Sequence, residues 1–140
     1  MKIVIDTRER KPYKFYGQDV VRKKLDTGDY SIEGFEDVFA VERKAKPDYL
    51  RSISHTRENF EHEVQRGSKM DEFEVVVEAS EEEIRAGDYR AEVPPLSAIN
   101  TAKAWSRSDR YDVPFTWAGS RAAGKALTLT KLKEWYEKHG

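Results

Sequence analysis

Apolar and polar positions along the chain alternate between the period of a strand and that of a helix. Lys2–Thr7 (KIVIDT) is a short apolar run closed by an acid, which predicts a buried strand. Asp19–Leu25 (DVVRKKL) is a weaker strand, and Asp29–Ile32 (DYSI) is another, entered through Thr27-Gly28. Asp37–Lys44 (DVFAVERK), rich in Val and Phe, is the clearest of the set. These consecutive short strands predict an antiparallel meander, with Glu33-Gly34 turning the chain.

A helix is expected from Pro47 and Asp48, because proline fits a first helical turn and aspartate suits the positive end of the helix dipole. Leu50, Ile53, Phe60 and Val64 form its buried stripe, and it runs to Gln65. Glu72–Ala79 reads as a strand, and Ser80 before three glutamates as a helix start. Residues 85–95, with Gly87 and Pro94-Pro95, read as a loop, followed by a helix over Ser97–Trp105. Pro114–Ala118 is a short strand with Phe115 and Trp117 on one face. Ser120 caps a last helix through Lys138, with Leu129, Leu132 and Tyr136 facing inward. A meander followed by alternating helix and strand predicts an α/β fold, a mixed sheet flanked by helices, in one domain spanning residues 1–140.

Composition narrows the chemistry. The chain is 36% charged and 38% hydrophobic, and its 3 Trp, 7 Tyr and 6 Phe argue against disorder. It has no cysteine, so disulfides and thiolate metal sites are excluded, and any metal is a hard cation such as Mg²⁺ held by oxygen. No run approaches the roughly 20 apolar residues of a bilayer span, so the expectation is a soluble intracellular protein of the cytoplasm, nucleoid or nucleus, with no membrane partner. The net charge of −1 is unevenly spread. Residues 71–100 carry nine acidic and two basic side chains, whereas 101–140 carry four and eight. A polyanion would be repelled by the first of these segments and tolerated by the second.

The strand over 37–44 ends in Glu42-Arg43-Lys44, three consecutive charges of mixed sign. Strand alternation places Val38, Ala40, Glu42 and Lys44 on one face and Phe39, Val41 and Arg43 on the other. Glu42 and Lys44 are thus neighbours behind which the strand is apolar. An acid and a lysine so placed can hold a divalent cation and position water beside it, which is what hydrolysis of a phosphodiester requires. Mg²⁺ needs further oxygens. Asp29, at the start of the adjoining strand, can reach Glu42; Asp6, at the end of the first strand, and a backbone carbonyl beside Glu42 can add to the set. Periodicity by itself favours a solvated strand end, where a Glu–Lys pair contributes little. On that reading Asp29 and Asp6 are turn residues and Asp48 a helix cap.

The order Asp6-Thr7-Arg8-Glu9, Gly28-Asp29, then Glu42-Arg43-Lys44 with Asp48 four residues on, resembles the nuclease signature of the XPF/Hef family of structure-specific endonucleases. That signature is D-x-R-E, then G-D, a variable gap, and E-R-K-x-x-x-D. The resemblance covers most of the chain and implies a restriction-endonuclease-like fold and a Mg²⁺- or Mn²⁺-dependent DNA endonuclease. It implies branched or flapped DNA as substrate, in repair or recombination. It further implies that Asp29 and Glu42 are the principal metal ligands, assisted by the Arg43 carbonyl, and that Lys44 activates water. Asp6 would support the site, through a second metal. Arg8, Arg43 and Asp48 would brace it or contact the scissile phosphate.

Gly87-Asp88-Tyr89 repeats the GDY string without a following ERK and reads as a decoy. His55, His62 and His139 have no ligand spacing. Arg57 falls on the buried stripe, where the family tends to carry an arginine followed four residues later by glutamine; here that position is Glu61. Arg57 is a candidate DNA contact, as is Arg8; the other reading of Arg57 is a helix-surface pair with Glu61. Many relatives continue into tandem helix-hairpin-helix modules, and none fits within these 140 residues. A homodimer or a protein partner is then expected to supply DNA binding. A general DNA nuclease or junction resolvase of the same fold, and a non-catalytic DNA-binding scaffold, are the rival readings.

Overall fold

Ile3, Val4 and Ile5 are too apolar to leave either face of their strand in water, and the chain buries both. In the computed structural model, which describes residues 1–140, they lie in β1 (Lys2–Asp6), an interior strand of a six-stranded sheet. The other strands are β2 (Asp19–Lys23), β3 (Tyr30–Ile32), β4 (Phe39–Ala45), β5 (Glu72–Glu78) and β6 (Phe115–Trp117). The spatial order is β2-β1-β3-β4-β5-β6.

The expected meander is only half present. β3 pairs antiparallel with both β4 and β1, but β2 leaves the series and runs parallel to β1 at the sheet edge. Chemistry accounts for this exchange. β1 needs partners on both sides, whereas β2 carries Arg22 and Lys23 and is largely exposed, which suits an edge strand. The long connection over 7–18 allows the parallel crossover. β4, β5 and β6 then pair in parallel, with Val75, Val76 and Val77 buried on both faces of the sheet.

Helices cover both faces, giving the mixed α/β fold expected. On one face, α1 (Lys46–Ser52), α2 (Arg57–Ser68), α3 (Glu81–Arg85) and α4 (Pro95–Ser106) pack Tyr49, Leu50, Phe60, Ile84, Ile99 and Trp105 onto the sheet. On the other, α5 (Arg121–His139) applies Leu132 and Trp135, beside Tyr13 and Phe15 of the 7–18 connection. Ser80 opens α3 with a reciprocal capping box to Glu83, and Ser120 caps α5. No helix is long and apolar enough to cross a membrane.

Two helical expectations need correction. The single helix to Gln65 is broken after Ser52, where the Ser54 hydroxyl donates to the Leu50 carbonyl at 2.6 Å and competes with the helical ladder. In α5 the inward residues are Thr128, Leu132 and Trp135; Leu129 is only partly buried and Tyr136 is 39% exposed. The indole stacks on Phe39, with ring centroids 4.8 Å apart, and covers more sheet than Tyr136 would.

Candidate active site

Glu42 and Lys44 share the α1–α2 face of β4 with Ala40, while Phe39, Val41 and Arg43 share the α5 face, as alternation requires. Glu42 is 5% exposed, and its Oε1 has no hydrogen-bond partner. Lys44 Nζ lies 3.4 Å from Glu42 Oε2 and 4.7 Å from the centroid of the Phe60 ring. Phe60 thus supplies an apolar floor under the lysine.

Asp29 reaches the same group by way of its backbone. Gly28 takes φ +87°, and a Cβ there would stand 2.6 Å from that of Ala40. Only glycine lets the chain press this closely on β4. Asp29 then ties two strands together: its N–H donates to the Val41 carbonyl, and its carbonyl accepts from Asp6 N–H, both at 2.9 Å. Its Oδ2 accepts the Arg43 main-chain N–H at 2.8 Å.

Two neighbouring buried carboxylates resist ionisation. Burial, then the charge of Glu9, pushes Asp29 up to about 7 against the pull of the Arg43 N–H. Burial, then Asp29 and Glu63, raises Glu42 well above the usual carboxylate range. For Lys44, burial works against the charged form, but Glu42, Glu63 and Asp29 more than offset it and its pKa rises. The cluster therefore gathers more carboxyl groups than one lysine can keep ionised, with an unpartnered buried oxygen in its midst. That donor set fits a hard divalent cation. No three acids or histidines converge as a complete cage. Water, phosphate oxygens and a main-chain carbonyl would fill the remaining positions, as is usual for Mg²⁺.

Asp6 is buried at the end of β1 and accepts from Leu25 N–H at 2.8 Å and from Arg8 Nε at 2.9 Å. Arg8 also donates to the Leu25 carbonyl at 2.6 Å, so this pair fastens the β1 terminus to the chain following β2. Arg43 turns through the sheet and grips Glu78 with Nε at 2.8 Å and Nη2 at 3.2 Å, while its Nη1 lies 3.4 Å from Glu9. Tyr13 donates to Glu78 and Tyr30 to Glu9 at 2.7 Å.

Asp48 is not brought to the cluster; it is exposed on α1 and pairs with Arg51 at 3.5 Å. Arg57 pairs with neither Glu61 nor the clustered acids. It donates to the Ile53 carbonyl at 3.0 Å and Thr101 Oγ1 at 2.9 Å, with its guanidinium over Trp105. Glu61 instead accepts from Tyr111 and Arg110. Asp88 of the repeated GDY string lies on the 87–93 loop. That loop and α1 enclose a cleft of about 730 Å³ that contains none of the clustered acids.

Glu63, Glu78 and Glu9 were given no role from the sequence. Glu63 lies on α2 between Phe60 and Val64 of the buried stripe, and its charge acts on Glu42. Glu78 acts behind the sheet through Arg43, and Glu9 meets Arg43 while its charge also reaches Asp29.

No protein-family model matches the chain. No curated protein matches it by sequence. Among solved structures it is similar to XPF from Aeropyrum pernix, with a TM-score of 0.72 and 22% identity, over 97% of this chain and 61% of that one. The chain thus spans about three-fifths of the length of the structure it matches. The likeness establishes the fold: a mixed six-stranded sheet flanked by helices, in the restriction-endonuclease-like arrangement of that XPF chain.

Proposed function

We propose that this chain is a divalent-metal-dependent DNA endonuclease that hydrolyses phosphodiester bonds, acting on branched or flapped DNA in repair or recombination. One observation carries the reading: a buried Glu42 oxygen without a partner, between Asp29 and Lys44, on the same sheet face. A structural ion pair has no use for an unpartnered oxygen, whereas a metal ligand must keep one free.

In this reading Asp29 and Glu42 hold Mg²⁺ or Mn²⁺, the Arg43 carbonyl assists, and Asp6 supports the set from β1. The bound cation supplies Lewis-acid stabilisation of the phosphate and lowers the pKa of water. Lys44, held charged by Glu42, Glu63 and Asp29, orients water and offsets charge developing on the phosphate oxygens. Its apolar floor, Phe60, keeps bulk water from that side. Arg8 keeps Asp6 in place, and Arg43 keeps Asp29 in place. Attack at phosphorus leaves a 5′-phosphate and a 3′-hydroxyl. A second copy of the chain or a protein partner strengthens the grip on DNA, and work on DNA places the protein in the cytoplasm, nucleoid or nucleus.

The test is cleavage of end-labelled flap, fork, four-way-junction and linear duplex DNA with Mg²⁺, Mn²⁺ or EDTA, beside Asp29→Asn and Lys44→Met proteins shown to be folded. Metal-dependent cutting near the branch, lost in both variants, is expected. Equal cutting of linear duplex would keep the chemistry and remove the branch preference. Cutting that survives either substitution would overturn the site, and a wild type inert with every metal would favour a scaffold.

A further inference from the structure

The 7–18 connection and the first turns of α5 build a second surface on the opposite face of the sheet from Glu42 and Lys44. Along Tyr13–Tyr16 burial alternates, with Tyr13 and Phe15 buried and Lys14 and Tyr16 exposed, and Tyr16 enters a turn in which Gln18 N–H donates to the Phe15 carbonyl. Tyr16 is 80% exposed, and Lys125 Nζ lies 5.1 Å from its ring centroid. Arg121 binds this segment to α5 by donating to the Lys11 and Pro12 carbonyls at 2.9 and 3.2 Å.

The charge here is one-sided. Arg10, Lys11, Lys14, Arg121 and Lys125 appear in none of the ion pairs of the molecule. Of the nearby acids, Glu9 faces Arg43 and Tyr30 and Glu78 faces Arg43 and Tyr13, which leaves Asp19, exposed at the start of β2, as the one without an ion pair. The first turn of α5 contains no acid. The exposed Tyr16 ring thus carries Lys125 against it and exposed Lys14 two residues before it in the chain.

An exposed ring flanked by unpaired cations is what a single nucleic-acid strand requires: a platform for one base and positive charge for the phosphates. Duplex DNA hides its base faces and cannot use the ring. We infer that the Tyr16 surface binds a single-stranded stretch of DNA, with Tyr16 stacking on a base and Lys14 and Lys125 seating the phosphates, while Arg121 holds the segment against α5. The inference rests on the nuclease reading for its biological sense, since it gives the unpaired arm of a branched substrate a place to lie. β1, β4, β5 and β6 run in one direction, so Asp6, Lys44, Glu78 and Trp117 end at the same rim of the sheet. The 7–18 connection leaves from that rim and runs back along the α5 face, so that Tyr16 lies three residues before Asp19, which pairs with Lys2 at the other end of β1.

The test is fluorescence anisotropy in EDTA, where no cleavage occurs, with a labelled oligothymidylate and a duplex of equal length. Tyr16→Ala is expected to weaken oligothymidylate binding about tenfold, the loss of one base stack. Tyr16→Phe should retain it, and duplex binding should change far less. Lys14→Glu with Lys125→Glu should weaken binding and flatten its salt dependence. Unchanged oligothymidylate affinity in Tyr16→Ala would overturn the proposal, as would an equal loss on duplex or equal displacement by polyglutamate. Failure here is separable from failure of the nuclease reading. Tyr16-dependent binding by a protein that never cuts sinks only the latter, and normal cutting with no Tyr16 effect sinks only the former.

Discussion

Arg43 holds Asp29 with its main chain and Glu78 with its side chain, on opposite faces of the sheet. The same residue therefore links a candidate metal ligand at the site to an anchor behind it. The side chains of Arg43 and Glu78 are 11% and 6% exposed; burial works against the charged guanidinium, but Glu78 and Glu9 more than offset it and leave it more firmly protonated than usual. Removing one partner of such a pair leaves an uncompensated buried charge. Glu78→Ala is expected to cost about 3–5 kcal/mol in urea unfolding, and Glu78→Gln distinctly less. Equal stability of wild type and Glu78→Ala would show that the anchor is idle.

Gly28 and Gly34 offer a controlled comparison, because both have positive φ, +87° and +96°, but only Gly28 is crowded. Alanine at either site incurs the backbone strain, of about 1–3 kcal/mol. At Gly28 the new methyl also meets Ala40 at 2.6 Å, whereas at Gly34 it meets nothing within 4 Å. Gly28→Ala is expected to be the more destabilising in urea unfolding and also to weaken Mn²⁺ binding, since Asp29 must shift. Equal losses at the two sites would contradict the close approach.

Arg57 joins α2 to α4 through Thr101 and Trp105. Arg57→Ala is expected to lower stability by about 1–3 kcal/mol, the range for hydrogen bonds made by a charged group. DNA affinity should change little, because the guanidinium is already engaged. A stable Arg57→Ala protein with weakened DNA binding would restore this arginine as a phosphate contact.

The pairing of Glu42 with Lys44, and the turning away of Arg43, were legible because strand alternation has a period of two and a single apolar run fixes its phase. β5 was likewise legible as a strand over Glu72–Ala79. Other features depended on distant parts of the chain. β2 moved to the edge because β1 needed two partners, a competition no local pattern reveals. The break at Ser54 rests on a side-chain hydroxyl bonding back to the Leu50 carbonyl, which an apolar stripe that continues across it does not show. Trp135 displaced Tyr136 because the partner was Phe39, which only the folded sheet supplies. Glu78 lies at the end of a strand like many solvated acids, and its role comes entirely from Arg43 arriving from β4.

Proton and metal compete for the same carboxylates, and this fixes a sign. Asp29 is pushed up to about 7, by burial first and Glu9 next, and Glu42 is raised in the same direction. A carboxyl with a folded pKa above its unfolded value, near about 4, binds its proton more tightly in the native state. Its stabilising contribution is fully present below the unfolded value and is lost as pH rises through about 7. The metal-free protein should therefore lose stability from this source between about pH 4 and about pH 7. A divalent cation binds the ionised form, so the gain in Tm on adding Mg²⁺ or Mn²⁺ should be small at about pH 5 and larger at about pH 8. Asp29→Asn should flatten the metal-free profile and abolish most of the metal gain. Thermal melts of both proteins, with and without metal at the two pH values, measure this directly. A metal gain independent of pH, or one undiminished in Asp29→Asn, would mean that the cation binds elsewhere.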